Sequence, residues 1–93
     1  MPRYIVERSF PEGLKISAND EGAEICRTVV MIIDEDGVTW IRSYVSDVGK
    51  KSFCEYDAPS PEAIRRTARR TNLPVDRITQ VRVLDPYFYG STR

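Results

Sequence analysis

Histidine is missing from all 93 residues. Its absence removes the commonest general base and the commonest transition-metal ligand. Cysteine occurs only twice, as Cys26 and Cys54, far from any Cys-x-x-Cys spacing. Two free thiols are expected there rather than a disulfide. No apolar run approaches the roughly 20 residues of a membrane span; the longest, Val29 to Ile33, has five. Neither sign of charge prevails, with 14 basic and 14 acidic residues, so nothing global steers the chain to nucleic acid or an anionic membrane. The start, Met1-Pro2-Arg3-Tyr4, passes straight into a strand pattern without a secretory signal, which makes the cytoplasm the default expectation. No Ser-His-Asp set, Gly-rich phosphate loop or paired-acid motif is present.

What the chain does have is aromatic-rich strands. Thr39-Trp40-Ile41-Arg42-Ser43-Tyr44-Val45 and Lys51-Ser52-Phe53-Cys54-Glu55-Tyr56-Asp57 carry large apolar groups at both odd and even positions. Successive side chains of a strand point to opposite faces, so neither face of this pair is cleanly polar. Two helices can cover only one face. A second copy of the chain is the expected cover for the other.

The remaining elements follow from capping and turn residues. Tyr4 to Phe10 is a strand pattern stopped by Pro11-Glu12-Gly13. Residues 17 to 21 offer caps and first-turn acids for a helix running to about Asp36, with Gly37 ending it. Ser46 to Lys50 is a hairpin-length loop containing glycine. Ser60-Pro61-Glu62 starts a second helix, which Asn72-Leu73-Pro74 terminates. Arg77 to Leu84 reads as the last strand, before Asp85-Pro86 and the aromatic Tyr87-Phe88-Tyr89, which is expected to cover a sheet edge or reach a partner. The order β-α-β-β-α-β predicts an α+β, ferredoxin-like fold: a four-stranded antiparallel sheet with two helices on one face, of the dimeric α/β-barrel type. Residues 1–89 form the expected single domain and 90–93 a polar tail.

Several fragments together resemble a family of small nickel-binding proteins long catalogued as a domain of unknown function. They are Val6-Glu7-Arg8, Trp40 through Val45, Cys54-Glu55-Tyr56-Asp57-Ala58-Pro59, Ile64-Arg65, Ala68-Arg69, Leu73-Pro74, Arg77-Ile78 and Val81-Arg82. The resemblance spans nearly the whole chain in order. It implies a ferredoxin-like fold, a homodimer packed sheet to sheet, and binding of a divalent metal, nickel. The family's pattern carries histidine between the Trp and Ser-Tyr-Val elements, and again before the Ala-Arg of the second helix. Here Arg42 and Thr67 hold those places. A protonated arginine has no lone pair for a metal, so fold and dimer carry over better than nickel.

Among individual residues, Cys54 is the sharpest metal candidate, because a thiolate is a soft ligand for nickel or zinc. Glu7 is its expected carboxylate partner, since the first and third strands are neighbours in this topology. The bland alternative is a small buried thiol and a solvated acid. Arg42, Glu55 and Cys54 depend on the hairpin register. A tight turn at Val48-Gly49 sets Arg42 opposite Glu55, with Cys54 beside Ser43 on the other face; a loop one residue longer sets Arg42 opposite Cys54. The longer loop is the preferred reading. It sends Ile41, Val45 and Phe53 towards the helices, and Trp40, Tyr44 and Tyr56 towards the other face as a pocket or interface lining. The acids Asp34, Glu35 and Asp36 read as a solvated helix end. The arginines of the second helix read as a solvated face, with no nucleic acid and no membrane as partner. Two functions remain open: a non-enzymatic homodimer related to the nickel binders, or a small-molecule binder or cofactor-independent enzyme with an aromatic pocket.

Overall fold

The computed structural model describes residues 1–14 and 19–87. Its elements run β1 (Arg3–Ser9), α1 (Asp20–Asp34), β2 (Thr39–Val45), β3 (Lys51–Asp57), α2 (Pro61–Thr71) and β4 (Arg77–Val81). The sheet order is β2-β3-β1-β4, and every neighbouring pair is antiparallel. This is the expected α+β, ferredoxin-like arrangement. Among the described residues, no helix is long and apolar enough to cross a membrane.

Local chemistry sets the helix ends. The Asn19 side chain accepts a hydrogen bond from the Gly22 N–H (3.0 Å), and Ser60 does the same for Ala63 (3.2 Å), satisfying amides that the first turn leaves without partners. The second helix closes at Asn72, which takes the left-handed conformation (φ 56°) that asparagine tolerates better than most residues. The first helix stops two residues earlier than the sequence suggests. Its chain turns through Gly37 (φ 73°), and the Val38 N–H returns to the Ile33 carbonyl at 3.1 Å. β4 likewise ends at Val81 rather than Leu84. Tyr87 is exposed, whereas the aromatic expectations for Phe88 and Tyr89 and the tail 90–93 lie outside the described residues.

Strand parity builds the core. Tyr4 and Val6 of β1 are buried together with Cys54 and Tyr56 of β3, Ile33 of α1, and Ala63 and Ile64 of α2. Both helices therefore cover one face of the sheet. The intervening positions, Arg3, Ile5, Glu7 and Ser9 on β1 and Lys51, Phe53, Glu55 and Asp57 on β3, point to the other face. No described element covers it.

Two of the acids at the end of α1, Glu35 and Asp36, tie the two helices together, while Asp34 is exposed as expected. Asp36 accepts from Thr67 Oγ1 (2.9 Å) and Arg70 Nη1 (3.0 Å) and lies 3.6 Å from Arg66, while Glu35 pairs with Arg70. The bond from Thr67, with the two arginines, holds the Asp36 carboxyl below its ordinary value of 3.8. Its folded value thus lies below its unfolded one. The resulting stability is complete above pH 3.8 and is lost as pH falls through the lower folded value. In acid denaturation, Asp36→Asn should therefore flatten the loss of stability below that pH. An unchanged acid limb would contradict this role for Asp36.

Candidate functional site

The β2–β3 hairpin decides which side chains share a face. Its loop is tight. The Ser46 N–H donates to the Lys51 carbonyl (2.9 Å), the Gly49 N–H donates to the Ser46 carbonyl (2.8 Å), and Gly49 adopts φ 74°. This closure pairs Val45 with Ser52, Ser43 with Cys54, and Arg42 with Glu55. The preferred longer loop is thereby overturned: Arg42 faces Glu55, not Cys54. A bulge between Trp40 and Arg42 then shifts the ladder by one residue, so that Trp40 pairs with Tyr56 and Thr39 with Asp57. Each of the two registers open to the sequence therefore occupies part of one strand pair.

The bulge divides the expected aromatic lining. Trp40 and Tyr56 lie on the helix side, Trp40 packed against the core and Tyr56 buried within it. Because of the extra residue, Trp40 and Ser43 share this side, and the indole Nε1 donates to Ser43 Oγ at 2.9 Å. Tyr44 lies on the opposite, open face and is 57% exposed. Phe53, its register partner, is there as well, rather than towards the helices. No single pocket gathers Trp40, Tyr44 and Tyr56, because the bulge parts Tyr44 from the other two.

The open face carries an ion network. Arg3 Nε donates to Asp57 Oδ1 (2.8 Å) and its Nη1 to Glu55 Oε2 (3.1 Å), while Arg42 Nε lies 3.5 Å from the other Glu55 oxygen. The bond to Asp57 raises the Arg3 value, and the same bond depresses that of Asp57 against the opposing effect of desolvation. Partly exposed pairs of this kind contribute about 0–1 kcal/mol each. Their importance lies in arranging charge around the half-buried Ile5 and Phe53.

The helix-covered face is electrically different. Arg8 is in phase with Tyr4 and Val6, and only 2% of it is exposed. Its guanidinium carbon lies 5.6 Å from the centroid of the Tyr56 ring. Ser52 stands opposite Arg8 on β3, and Ser52 Oγ is 3.7 Å from Cys54 Sγ. Burial pushes the Tyr56 hydroxyl well above its ordinary value of 10.0; the Arg8 cation opposes that shift, and Cys54 adds to it. Among the described residues, Arg8 Nε and Nη1 have no hydrogen-bond partner. A cation over a desolvated ring gains about 2 kcal/mol, less than the several kcal/mol lost by burying an ion. Sequence reading missed Arg8, although the period-2 pattern Tyr4-Val6-Arg8 placed it on the core face.

The proposed metal donors do not assemble. β1 and β3 are neighbours, as expected, but Glu7 pairs with Phe53 and points to the open face, whereas Cys54 pairs with Val6 and is buried on the helix side. A cation at Cys54 would also share its surroundings with the Arg8 guanidinium. Among the described residues, no group of three or more Cys, Asp or Glu side chains is placed to hold a metal. These residues do not fit a nickel site within one subunit.

Comparison with known proteins joins this fold to a family. The family model described as "Nickel responsive protein SCO4226-like" matches residues 4–81. The chain belongs to that family. The crystal structure of SCO4226 from Streptomyces coelicolor A3(2) has a similar fold, with a TM-score of 0.69 over 87% of this chain and 96% of that one. Their sequences are 16% identical, so the likeness concerns the fold alone. No match was found among curated proteins.

Both cysteines are free in the structure, with Cys54 buried and Cys26 partly accessible. A thiol reagent added to native protein should therefore modify Cys26 first and reach Cys54 only on unfolding. Equal rates for the two, followed by mass spectrometry of labelled peptides, would contradict the placement of Cys54.

Proposed function

We propose that this member of the nickel responsive family is a non-enzymatic homodimer packed through the open sheet face, with nickel affinity weakened or lost. The observation that carries this reading is the composition of that face. Ile5, Phe53, Tyr44 and Val81 supply apolar surface. Around them lie four cations, Arg3, Arg42, Lys51 and Arg77, and three anions, Glu7, Glu55 and Asp57. A two-fold dimer sets one patch against itself, so the patch must complement its own charge. A face of nearly balanced charge with apolar positions among the ions meets that requirement. A one-signed face would repel its copy.

The loss of nickel affinity is supported by the donor chemistry. The family's histidine places are Arg42, which pairs with Glu55, and Thr67, which is buried and donates to Asp36. Arginine has no lone pair to give, and the Thr67 hydroxyl is a weak ligand already engaged with Asp36. Glu7 and Cys54 point away from each other. A dimer packed on the open face would leave both Cys54 thiols behind their sheets.

Sedimentation of the untagged protein at micromolar concentration should show a dimer. Phe53→Asp, which sets a charge at the centre of the open face, should weaken association at least tenfold, or about 1.4 kcal/mol, without disturbing the core. Titration calorimetry with nickel should give no saturable binding at one site per subunit. A folded monomer, or tight nickel binding that Cys54→Ala abolishes, would contradict the reading.

A further inference from the structure

We propose that Arg8 forms an interior receptor for a small oxyanion, a carboxylate or an inorganic oxyanion, between the sheet and the helices. The site is independent of the dimer, because it lies on the opposite side of the sheet from the proposed interface.

Charge distribution carries the argument. Arg8, Ser52 and Thr67 are the buried polar residues, so Arg8 is the one buried charge among the described residues. All 14 acidic side chains of the chain fall within the described residues, and none is buried. The sheet's own acids, Glu7, Glu55 and Asp57, are on the other face, two of them engaged by Arg3. Asp36, the least exposed acid near the helices, is held by Thr67 and Arg70. Among the described residues, no internal carboxylate is left to neutralise Arg8.

The groups around Arg8 are suited to an anion. Arg8 Nε and Nη1 are buried N–H donors without an acceptor among the described residues. The Tyr56 ring lies beside the guanidinium, and Ser52, opposite Arg8 on β3, carries a hydroxyl whose proton can rotate. The raised value of Tyr56 keeps its hydroxyl protonated and available as a donor. A guanidinium with neutral O–H donors is the donor set that oxyanions favour. The enclosure of Arg8 limits the ligand to a small one.

Titration of sodium acetate and of sodium phosphate into the dialysed full-length protein, against sodium chloride at equal ionic strength, tests the site. Isothermal calorimetry and the thermal midpoint are the readouts, with Trp40 emission as a third. At least one of the two oxyanions should bind saturably and raise the midpoint of the wild type. Arg8→Lys, which keeps the charge but loses the planar donor set, should bind at least tenfold more weakly. Arg8→Met should show no saturable binding, and should be as stable as the wild type without anion. If Arg8→Met does not fold, Arg8→Lys carries the comparison. A wild type indifferent to both oxyanions, or variants that bind as the wild type does, would overturn the proposal. Because these readouts are not oligomeric state, failure here is distinct from failure of the dimer.

Discussion

Strand parity is the constraint on which this molecule depends. With a period of two, β1 sends Tyr4, Val6 and Arg8 to the helices and Arg3, Ile5 and Glu7 the other way. β3 answers in register, burying Ser52, Cys54 and Tyr56 and turning Phe53, Glu55 and Asp57 outward. A one-residue slip would exchange the two sets and expose the whole core. The antiparallel pairing of these central strands thus fixes both the packed interior and the charge of each face.

The two faces solve different problems. The outer face holds its ions in contact with one another, so that Arg3, Arg42, Glu55 and Asp57 neutralise each other around apolar side chains. Among the described residues, the inner face holds a single buried cation, Arg8, beside hydroxyls, a thiol and an aromatic ring. Membership of the nickel responsive family supplies the fold. Arg42 and Thr67 are engaged in an ion pair with Glu55 and a hydrogen bond to Asp36.

Element order and type were legible because their signals are local. Caps at Asn19 and Ser60, the turn glycines and the Asn72-Leu73-Pro74 stop each act within a few residues. The register of β2 was not legible, since a bulge between Trp40 and Arg42 is decided by packing across the sheet. That single extra residue placed Trp40 with Tyr56 but separated Tyr44 from both. The pairing of Glu7 with Cys54 failed for a related reason: adjacency of strands was inferred correctly, but side-chain direction within them was not followed. The same alternation, carried to its third position, would have found Arg8. Its charge gives no local sign of burial, since arginine is rarely buried.

The most direct test of this two-faced sheet is nitrogen-edited NMR of the arginine Nε–H groups. The account predicts that the Arg8 Nε–H exchanges slowly with solvent and shows cross-relaxation with the Tyr56 ring. Rapid exchange of that proton, with no contact to Tyr56, would place Arg8 in water and contradict the division of charge between the faces.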